Sequence, residues 1–208
     1  MTVASSGDEL LIVVPVEPLR AAKLGQGFDP SPEPILAAAL QPGVARVMPR
    51  ALAERDPRFK QIVAYVILRH RGRIFHYRRS SAVGERRLAG LRSLGVGGHL
   101  NQGDVQDSLD LASLRRAIHR ELGEELVLAE QPAIHWFGMI NDDSTEVGKV
   151  HVGLVAVADL RGSDARLRDP TLVDGRFDLV PRIVAQADDF ESWSRLCLPA
   201  LLSPPAAS

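Results

Sequence analysis

The segment of residues 111–126 has the apolar spacing of an α-helix, and its C-terminal end carries three carboxylates. At about 100° per residue, five apolar side chains share one face that we expect to be buried, namely Leu111, Leu114, Ile118, Leu122 and Leu126. Glu121, Glu124 and Glu125 follow one edge of that face, where like charges three and four residues apart repel each other. The C-terminus of a helix also carries partial negative charge, which disfavours acids there. A divalent cation such as Mg²⁺ would relieve both conflicts, because it takes carboxylate oxygens as ligands.

The composition is that of one globular chain. The 208 residues are 45% hydrophobic, which is enough for one full core. The net charge of -1 provides no long-range attraction to nucleic acid or to an anionic membrane. The longest early apolar run, residues 10–16, is too short to cross a bilayer. We therefore expect a cytoplasmic protein that binds neither nucleic acid nor membranes.

Strand signals surround the central helix. Apolar, β-prone runs predict strands at residues 10–14, 62–68, 74–77, 94–98, 134–140 and 150–158, and one within 176–184. Further helices are predicted over residues 31–43 and from Asp188 or Asp189 onward. This order predicts an α/β (α+β) fold with a central mixed β-sheet between helical layers, an α/β/α sandwich. Residues 1–57 carry no motif and are expected to form an N-terminal extension packed on a main domain of residues 58–208.

Two short segments belong together by their order and spacing. Gly97-Gly98-His99 and Asp104 lie before the helix, and Arg120-Glu121-Leu122-Gly123-Glu124-Glu125 lies near its end. This pair resembles the signature of the Nudix hydrolases, the MutT-like family that cleaves nucleoside diphosphates linked to another group. Gly98 matches the opening glycine of that signature, residues 120–125 match its acidic run, and Leu128 stands at its closing apolar position.

The match departs from the family pattern at three points. Asp104 stands where the family has glutamate, Val127 replaces a glycine, and fifteen residues (105–119) separate Asp104 from Arg120 where the family has seven. The longer interval is similar to that of a Nudix subgroup described as MutT-type phosphoesterases, and the similarity covers about residues 57–160. Eight extra residues can lengthen the loop or add about two helical turns at the start of the helix. Either route leaves the carboxylate end of the helix unchanged.

The resemblance implies a role for each group of residues in the signature. Mg²⁺, or Mn²⁺ in its place, would be bound by Glu121, Glu124, Glu125 and the backbone of Gly97 and Gly98. The catalytic residues would be Glu124, Arg120 and Asp104. Arg120 would orient the acids through an ion pair, and Asp104 would take an outer contact with the metal, although a loop acid before a helix equally serves as a cap. Apart from the resemblance, Arg78, Arg79 and His99 are candidates to hold substrate phosphates, although a solvated arginine loop and a packed or hydrated histidine explain them as well.

The implied function is a Mg²⁺-dependent pyrophosphohydrolase or phosphoesterase acting on a small nucleotide or diphosphate, and the resemblance also allows a homodimer. The alternative is a catalytically inactive Nudix-fold module that senses a ligand or serves as a scaffold. Diphosphate isomerisation of the Nudix type would need an active-site cysteine, and the one thiol, Cys197, lies in an apolar segment. The signature does not identify the general base. Asp142, Asp143 and Glu146 lie on a polar loop, but a β-turn rich in Asn and Asp explains them equally well.

Overall fold

The computed structural model describes residues 9–80 and 90–202 of the chain. Its strands are β1 (Leu10–Pro15), β2 (Gly27–Asp29), β3 (Arg46–Pro49), β4 (Phe59–His70), β5 (Arg73–Arg79), β6 (Arg92–Ser93), β7 (Gly95–Val96), β8 (Leu126–Val127), β9 (Ala133–Asn141), β10 (His151–Asp159), β11 (Arg166–Leu167) and β12 (Leu172–Leu179). Its helices are α1 (Val16–Ala21), α2 (Glu33–Ala39), α3 (Arg50–Ala53), α4 (Leu111–Glu125), α5 (Glu146–Lys149), α6 (Val180–Val184) and α7 (Ser192–Leu202). The mixed α+β class predicted from the sequence is confirmed.

The described residues divide into two compact units. The first contains residues up to 64, residues 98–120 and residues 138–155. The second contains residues 65–97, 121–137 and 156 onward. The chain passes from one unit to the other within β4, α4, β9 and β10. An extension that ends at residue 57 stays a prediction.

In the first unit, β1 lies between two antiparallel neighbours. Ile12 pairs with Val47 of β3, and Val13 pairs with Gln61 of β4. β1 forms a strand because its apolar side chains from Leu11 to Val14 are almost fully buried. β3 was missed in the sequence because three of its four residues are exposed, so it has no apolar run.

In the second unit, β5 lies between β4 and β12. The β4–β5 hairpin turns at Arg71 and Gly72, whose φ angles of 48° and 73° are both positive, as a primed two-residue turn requires. Within the predicted strand of residues 94–98, only β7, Gly95–Val96, is a strand, and a second short strand, β6, precedes it at Arg92–Ser93. β6 pairs with β5 and β7 pairs with β4, and the chain leaves β7 at Gly97.

α4 begins after Asp110, whose carboxylate accepts a hydrogen bond from the Ser113 backbone N–H at 2.7 Å. Of the fifteen residues between Asp104 and Arg120, residues 105–110 form an irregular loop and residues 111–119 form the first part of α4, so the long interval is divided between loop and helix. Leu114, Ile118 and Leu122 are buried as predicted. The prediction for Leu111 was wrong, because the side chain in the first turn is 46% exposed. Leu126 is buried but lies beyond the helix, in β8.

A buried lysine holds the loop between β9 and β10 in the first unit. Lys60 is 1% exposed, and its Nζ lies 2.7 Å from Asp143 Oδ1. The same Nζ donates to the carbonyl oxygens of Gly148, Lys149 and His151 at 2.9–3.2 Å. Burial lowers the pKa of Lys60, whereas its hydrogen bond to Asp143 acts to raise it. This one cation therefore satisfies a carboxylate and three carbonyl groups of the loop.

We expect Lys60→Met to lower the free energy of unfolding by about 2–4 kcal/mol, because it leaves those acceptors without their donor. Chemical denaturation followed by circular dichroism measures this. The matched control is Lys149→Met, because the Lys149 side chain is 46% exposed and its ammonium pairs with the exposed Glu146. The control should change stability by no more than about 0.5 kcal/mol. Equal effects of the two substitutions would contradict a structural role for Lys60.

Candidate active site

The bend after β7 approaches the end of α4 in the second unit. The backbone N–H of Gly97 donates a hydrogen bond to Glu125 Oε2 at 3.3 Å. Gly97 has a φ of 143°, a conformation that glycine adopts far more readily than other residues. The structure thus brings together a glycine and a glutamate that are separated by 27 residues in the sequence.

The carboxylate of Glu125 carries an incompletely compensated charge. Burial raises the pKa of Glu125 to about 7, the cation of Arg79 opposes this, and the nearby acids Glu121 and Asp169 raise the pKa further. Glu121 is itself only 8% exposed. Glu121 is therefore buried and Glu125, one helical turn away, is half-buried, which is costly for two carboxylates unless a cation accompanies them.

Arg79, at the end of β5, is the cation that acts on Glu125. One of its terminal nitrogens donates to the Tyr77 hydroxyl at 3.2 Å, and the guanidinium carbon lies 5.7 Å from the centre of that ring. The hydroxyl of Tyr77 donates in turn to the Gly95 carbonyl oxygen at 2.8 Å. Arg79 Nε is buried and has no hydrogen-bond acceptor among residues 9–80 and 90–202. A buried donor without an acceptor costs about 1–3 kcal/mol, so this unpaired atom is a site of uncompensated polarity among the described residues.

The loop after β11 covers the C-terminal end of α4. The backbone nitrogens of Arg168 and Asp169 donate to the Glu125 carbonyl oxygen at 2.8 and 3.3 Å. The Arg168 guanidinium donates to the Gly123 carbonyl oxygen. These bonds satisfy helix carbonyls that have no partner within the helix, and they place positive charge at its negative end.

In the first unit, Arg120 joins α4 to the loop before it. Its guanidinium binds Asp104 through two hydrogen bonds, Nε to Oδ1 at 3.0 Å and a terminal nitrogen to Oδ2 at 2.8 Å. The same terminal nitrogen donates to the His99 carbonyl oxygen at 2.9 Å. Asp104 also accepts from the Asn101 backbone N–H at 2.9 Å, so it caps the short 3₁₀ turn Gln102–Asp104. Because Asp104 accepts from both Arg120 and the Asn101 backbone, it fixes this loop against the helix.

His99 forms a pair with His151 in the same unit. Their Nε2 atoms lie 3.0 Å apart, and His151 Nδ1 lies 2.6 Å from the Val147 carbonyl oxygen. Because a carbonyl only accepts, His151 carries a proton on Nδ1. Burial, together with His151, Arg50 and Arg120, lowers the pKa of His99 to about 3. The imidazole of His99 is therefore neutral near neutral pH.

The other residues named from the sequence lie in different settings. Glu124 is exposed on α4. The Gly98 carbonyl oxygen accepts a hydrogen bond from the Ala64 N–H at 2.8 Å in the first unit. Arg78 donates to the Gly90 carbonyl oxygen at 2.7 Å and lies 3.7 Å from Asp174. The neighbouring arginines Arg86 and Arg87 lie outside the described residues.

The candidate bases on the polar loop after β9 each pair with a neighbouring side chain. Asp142 accepts hydrogen bonds from Ser144, Asp143 binds Lys60, and Glu146 pairs with Lys149. These contacts agree with the reading of this loop as a polar turn.

No sequence pattern singles out Asp169, Arg168 or Tyr77. Asp169-Pro170-Thr171 is a turn signal, but nothing in it indicates contact with a helix that ended 44 residues earlier. Tyr77 looked like an ordinary strand residue, and only the fold places its hydroxyl beside Arg79.

Three further findings bear on the chemistry of the described part of the chain. Within residues 9–80 and 90–202, no three His, Cys, Asp or Glu side chains are arranged to hold a metal ion. In the same ranges no helix is long and apolar enough to span a membrane. Cys197 is fully buried and burial raises its pKa, so it does not suit the cysteine-dependent isomerisation.

Comparison with known proteins gives both a relative and a fold. No protein-family profile matches the chain. The chain is 36% identical over 164 residues to protein YmaB of Bacillus subtilis (strain 168). The matched segment covers 75% of this chain and 78% of the relative. The structure of Tm1382, named as a Nudix hydrolase, has a TM-score of 0.78 at 24% identity and covers 93% of this chain and 98% of that chain. A Nudix hydrolase from Alicyclobacillus acidocaldarius has a TM-score of 0.54 at 13% identity, covering 71% and 93%. These likenesses show the fold that the signature implied.

The raised pKa of Glu125 predicts how the stability of the metal-free protein depends on pH. Because the folded-state pKa of about 7 exceeds the ordinary glutamate pKa of 4.5, folding favours the protonated carboxyl. This contribution is complete below about pH 4.5 and is lost as the pH rises through about 7. We expect the unfolding temperature of the wild type, measured relative to Glu125→Gln, to fall over that range in scanning calorimetry with EDTA. A difference between the two proteins that stays constant with pH would contradict this.

Proposed function

Because the chain belongs to the same family as YmaB and has the Nudix (MutT-like) fold, we propose that it is a Mg²⁺-dependent hydrolase of phosphorus anhydrides. Its substrate is a small molecule with a diphosphate linkage, such as a nucleoside diphosphate derivative or a related phosphoester. The observation that carries this proposal is the buried Glu125 carboxylate, held against the Gly97 N–H beside Glu121 and Arg79. Hydrolase activity belongs to this site and not to the fold as such.

The residues present fit a hard divalent cation. Glu121 and Glu125 are two carboxylates that are shielded from solvent and repel each other. A bound cation would offset that repulsion. Mg²⁺ in enzymes commonly keeps several waters and uses one or two carboxylates together with substrate phosphates. A set of three preformed side-chain ligands is therefore not needed before substrate binds.

Glu121 and Glu125 would hold Mg²⁺ or Mn²⁺, with Glu124 as a direct or water-mediated ligand and the backbone of Gly97 and Gly98 beside them. When bound, the ion supplies positive charge to the diphosphate oxygens and lowers the pKa of a bound water.

The other side chains bind and position. Arg79 Nε, which lacks an acceptor among the described residues, would donate to a non-bridging phosphate oxygen, while Tyr77 keeps the guanidinium in place. Arg120 and Asp104 would act by fixing the loop of the first unit that contains the His99 carbonyl. His99 and Arg78 remain proposed substrate contacts. The cytoplasmic location and the homodimer also remain predictions.

The test is turnover of a panel of nucleoside diphosphate derivatives, nucleoside triphosphates and dinucleoside polyphosphates with Mg²⁺ or Mn²⁺. We expect diphosphate cleavage that is abolished by EDTA. In Glu125→Gln, kcat should fall by at least about 100-fold, because the site loses charge stabilisation worth several kcal/mol. The control is Glu130→Gln, a partly exposed acid that pairs with the exposed Arg161. Unchanged turnover in Glu125→Gln would refute the assignment.

Metal titration by calorimetry separates the enzyme from the inactive ligand-sensing or scaffold module. The enzyme predicts a heat of Mn²⁺ or Mg²⁺ binding that disappears in Glu125→Gln. A module without catalysis predicts no such heat and no turnover on any member of the panel.

The role of Arg79 can be tested with a substitution that keeps its charge. Arg79→Lys retains a cation near Glu125 but lacks Nε and the planar donor set. We expect kcat/KM to fall about 10–100-fold on the best substrate of the panel. Arg73→Lys, on the exposed start of the same strand, is the matched control and should differ from the wild type by less than about twofold. Equal kinetics of all three proteins would show that Arg79 does not contact substrate.

A further inference from the structure

Glu191 is a buried carboxylate of the second unit to which the proposed reaction assigns no task. It caps α7, because its Oε2 accepts from the Trp193 backbone N–H at 2.8 Å and its Oε1 accepts from the Ser194 backbone N–H at 2.9 Å. The Ser194 hydroxyl donates to the same Oε1. These contacts would complete a helix cap, yet Glu191 also accepts from side chains outside α7.

The additional donors to Glu191 come from strands β4 and β6. The Tyr65 hydroxyl, on β4, donates to Glu191 Oε1 at 2.7 Å, and the Ser93 hydroxyl, on β6, lies 3.4 Å from the same oxygen. Leu94, the next residue in the chain, donates its backbone N–H to Ser194 Oγ at 2.9 Å. Glu191 and its cap therefore connect the start of α7 with both strands.

Gly95, at the start of β7, is in contact with two tyrosines. A Cβ atom at Gly95 would lie 2.2 Å from the Tyr65 ring, so the ring packs directly on the glycine backbone. The Gly95 carbonyl oxygen accepts from the Tyr77 hydroxyl at 2.8 Å, and the Gly95 N–H donates to Ser93 Oγ at 3.2 Å. Because Glu191 holds Tyr65, it also sets the position of Gly95.

The Tyr77 hydroxyl connects Gly95 with Arg79. Because Tyr77 donates its single hydroxyl proton to the Gly95 carbonyl, its oxygen accepts from a terminal nitrogen of Arg79 at 3.2 Å. The charge of Glu191 also acts on this cation. Burial acts to lower the pKa of Arg79, but neighbouring groups, Glu191 among them, raise that pKa overall. Contacts of both kinds thus join Glu191 to Arg79 within the second unit.

We propose that Glu191 is a positioning residue that holds Arg79 in place for a phosphate oxygen of the substrate, an inference that rests on the proposed hydrolase function. Glu191 fixes the Tyr65 ring against Gly95. Gly95 fixes the Tyr77 hydroxyl, and that hydroxyl fixes the guanidinium. The donors of a guanidinium have a fixed planar geometry, so a small rotation would misdirect all of them. In this role Glu191 does not itself contact the substrate.

Glu191→Gln tests the inference, because the amide keeps one acceptor oxygen but loses the charge and places donors where Oε2 accepts. Misplacement of a reacting or binding group by about 1 Å can cost about 100-fold in rate, and we expect kcat/KM on the best substrate of the panel to fall about 10-fold. The calorimetric affinity for Mn²⁺ should stay within about threefold of the wild type, because Glu121 and Glu125 are unchanged.

The matched control is Asp110→Asn in the first unit. Asp110 caps α4 as Glu191 caps α7, because its Oδ1 accepts from both the backbone N–H and the hydroxyl of Ser113, three residues later, each at 2.7 Å. Both of these donors belong to α4 itself. Asparagine is also a good helix cap, so kcat/KM should stay within about twofold of the wild type.

A double-mutant cycle with Arg79→Lys distinguishes positioning from a general loss of structure. If Glu191 acts through Arg79, the two effects overlap, and kcat/KM of the double variant should lie within about threefold of that of Arg79→Lys. Independent effects would multiply, and a double variant that shows their full product would overturn the inference. A loss of Mn²⁺ affinity in Glu191→Gln would overturn it as well, since Glu191 would then support the whole site.

Tyr65→Phe replaces Glu191→Gln if that variant does not fold, because it keeps the ring on Gly95 and the cap of α7 and removes one hydroxyl. Its kcat/KM should fall at least about threefold, and an unchanged value would overturn the inference.

The outcomes separate the inference from the proposed function. If the wild type cleaves a diphosphate and Glu125→Gln does not, but Glu191→Gln keeps kcat/KM within about twofold, only the inference fails. If the wild type cleaves no member of the panel, the proposed function fails, and the inference that rests on it fails too.

Discussion

The site depends on the burial of one carboxylate, that of Glu125, against a glycine backbone. Burial removes part of the hydration of its charge, the Gly97 N–H and the Arg79 cation compensate that charge only in part, and neighbouring acids oppose ionisation. A protein that needed only stability would place an apolar residue here. The arrangement is understandable if the missing compensation arrives with a ligand, and the acceptor-free Arg79 Nε indicates the complementary half of such a ligand. The Glu125 carboxylate lacks part of its compensating positive charge, and Arg79 Nε lacks an acceptor oxygen among the described residues. A phosphate bound to a metal ion would supply both.

Within the first unit, long basic side chains hold in place loops that contain little regular secondary structure. Lys60 gathers the loop before β10 around its ammonium, and Arg120 fastens the loop before α4 through Asp104 and the His99 carbonyl. Each of these cations serves several acceptors, so the loops are ordered although they contain little regular structure. A second consequence is that these cations hold the backbone of both histidines of the pair. The His99 carbonyl oxygen accepts from Arg120, and the His151 carbonyl oxygen accepts from Lys60.

The parts of the structure that could be predicted are those with a local periodicity. The α4 face containing Leu114, Ile118 and Leu122 follows from spacing alone, and the long strands follow from apolar runs. Leu111 could not be predicted, because whether a first-turn side chain is covered depends on what packs there. β3 is mostly exposed and lacks a pattern, and the short strands β6 and β7 exist only because β4 and β5 lie beside them. The acids of the signature were visible in the sequence. The companions of Glu125, namely Arg168, Asp169 and Tyr77, were not, since they depend on contacts between segments far apart in the chain.

The loop of residues 105–110 has a wider consequence for how such proteins are recognised. It lies between two anchored points, the Arg120–Asp104 pair and the Asp110 cap, and neither anchor depends on its length. Insertions there add chain without displacing the acids at the far end of the helix. A search motif with a rigid interval between its glycine and its glutamates would therefore pass over chains that are built in the same way, whereas one that lets this gap vary would retrieve them.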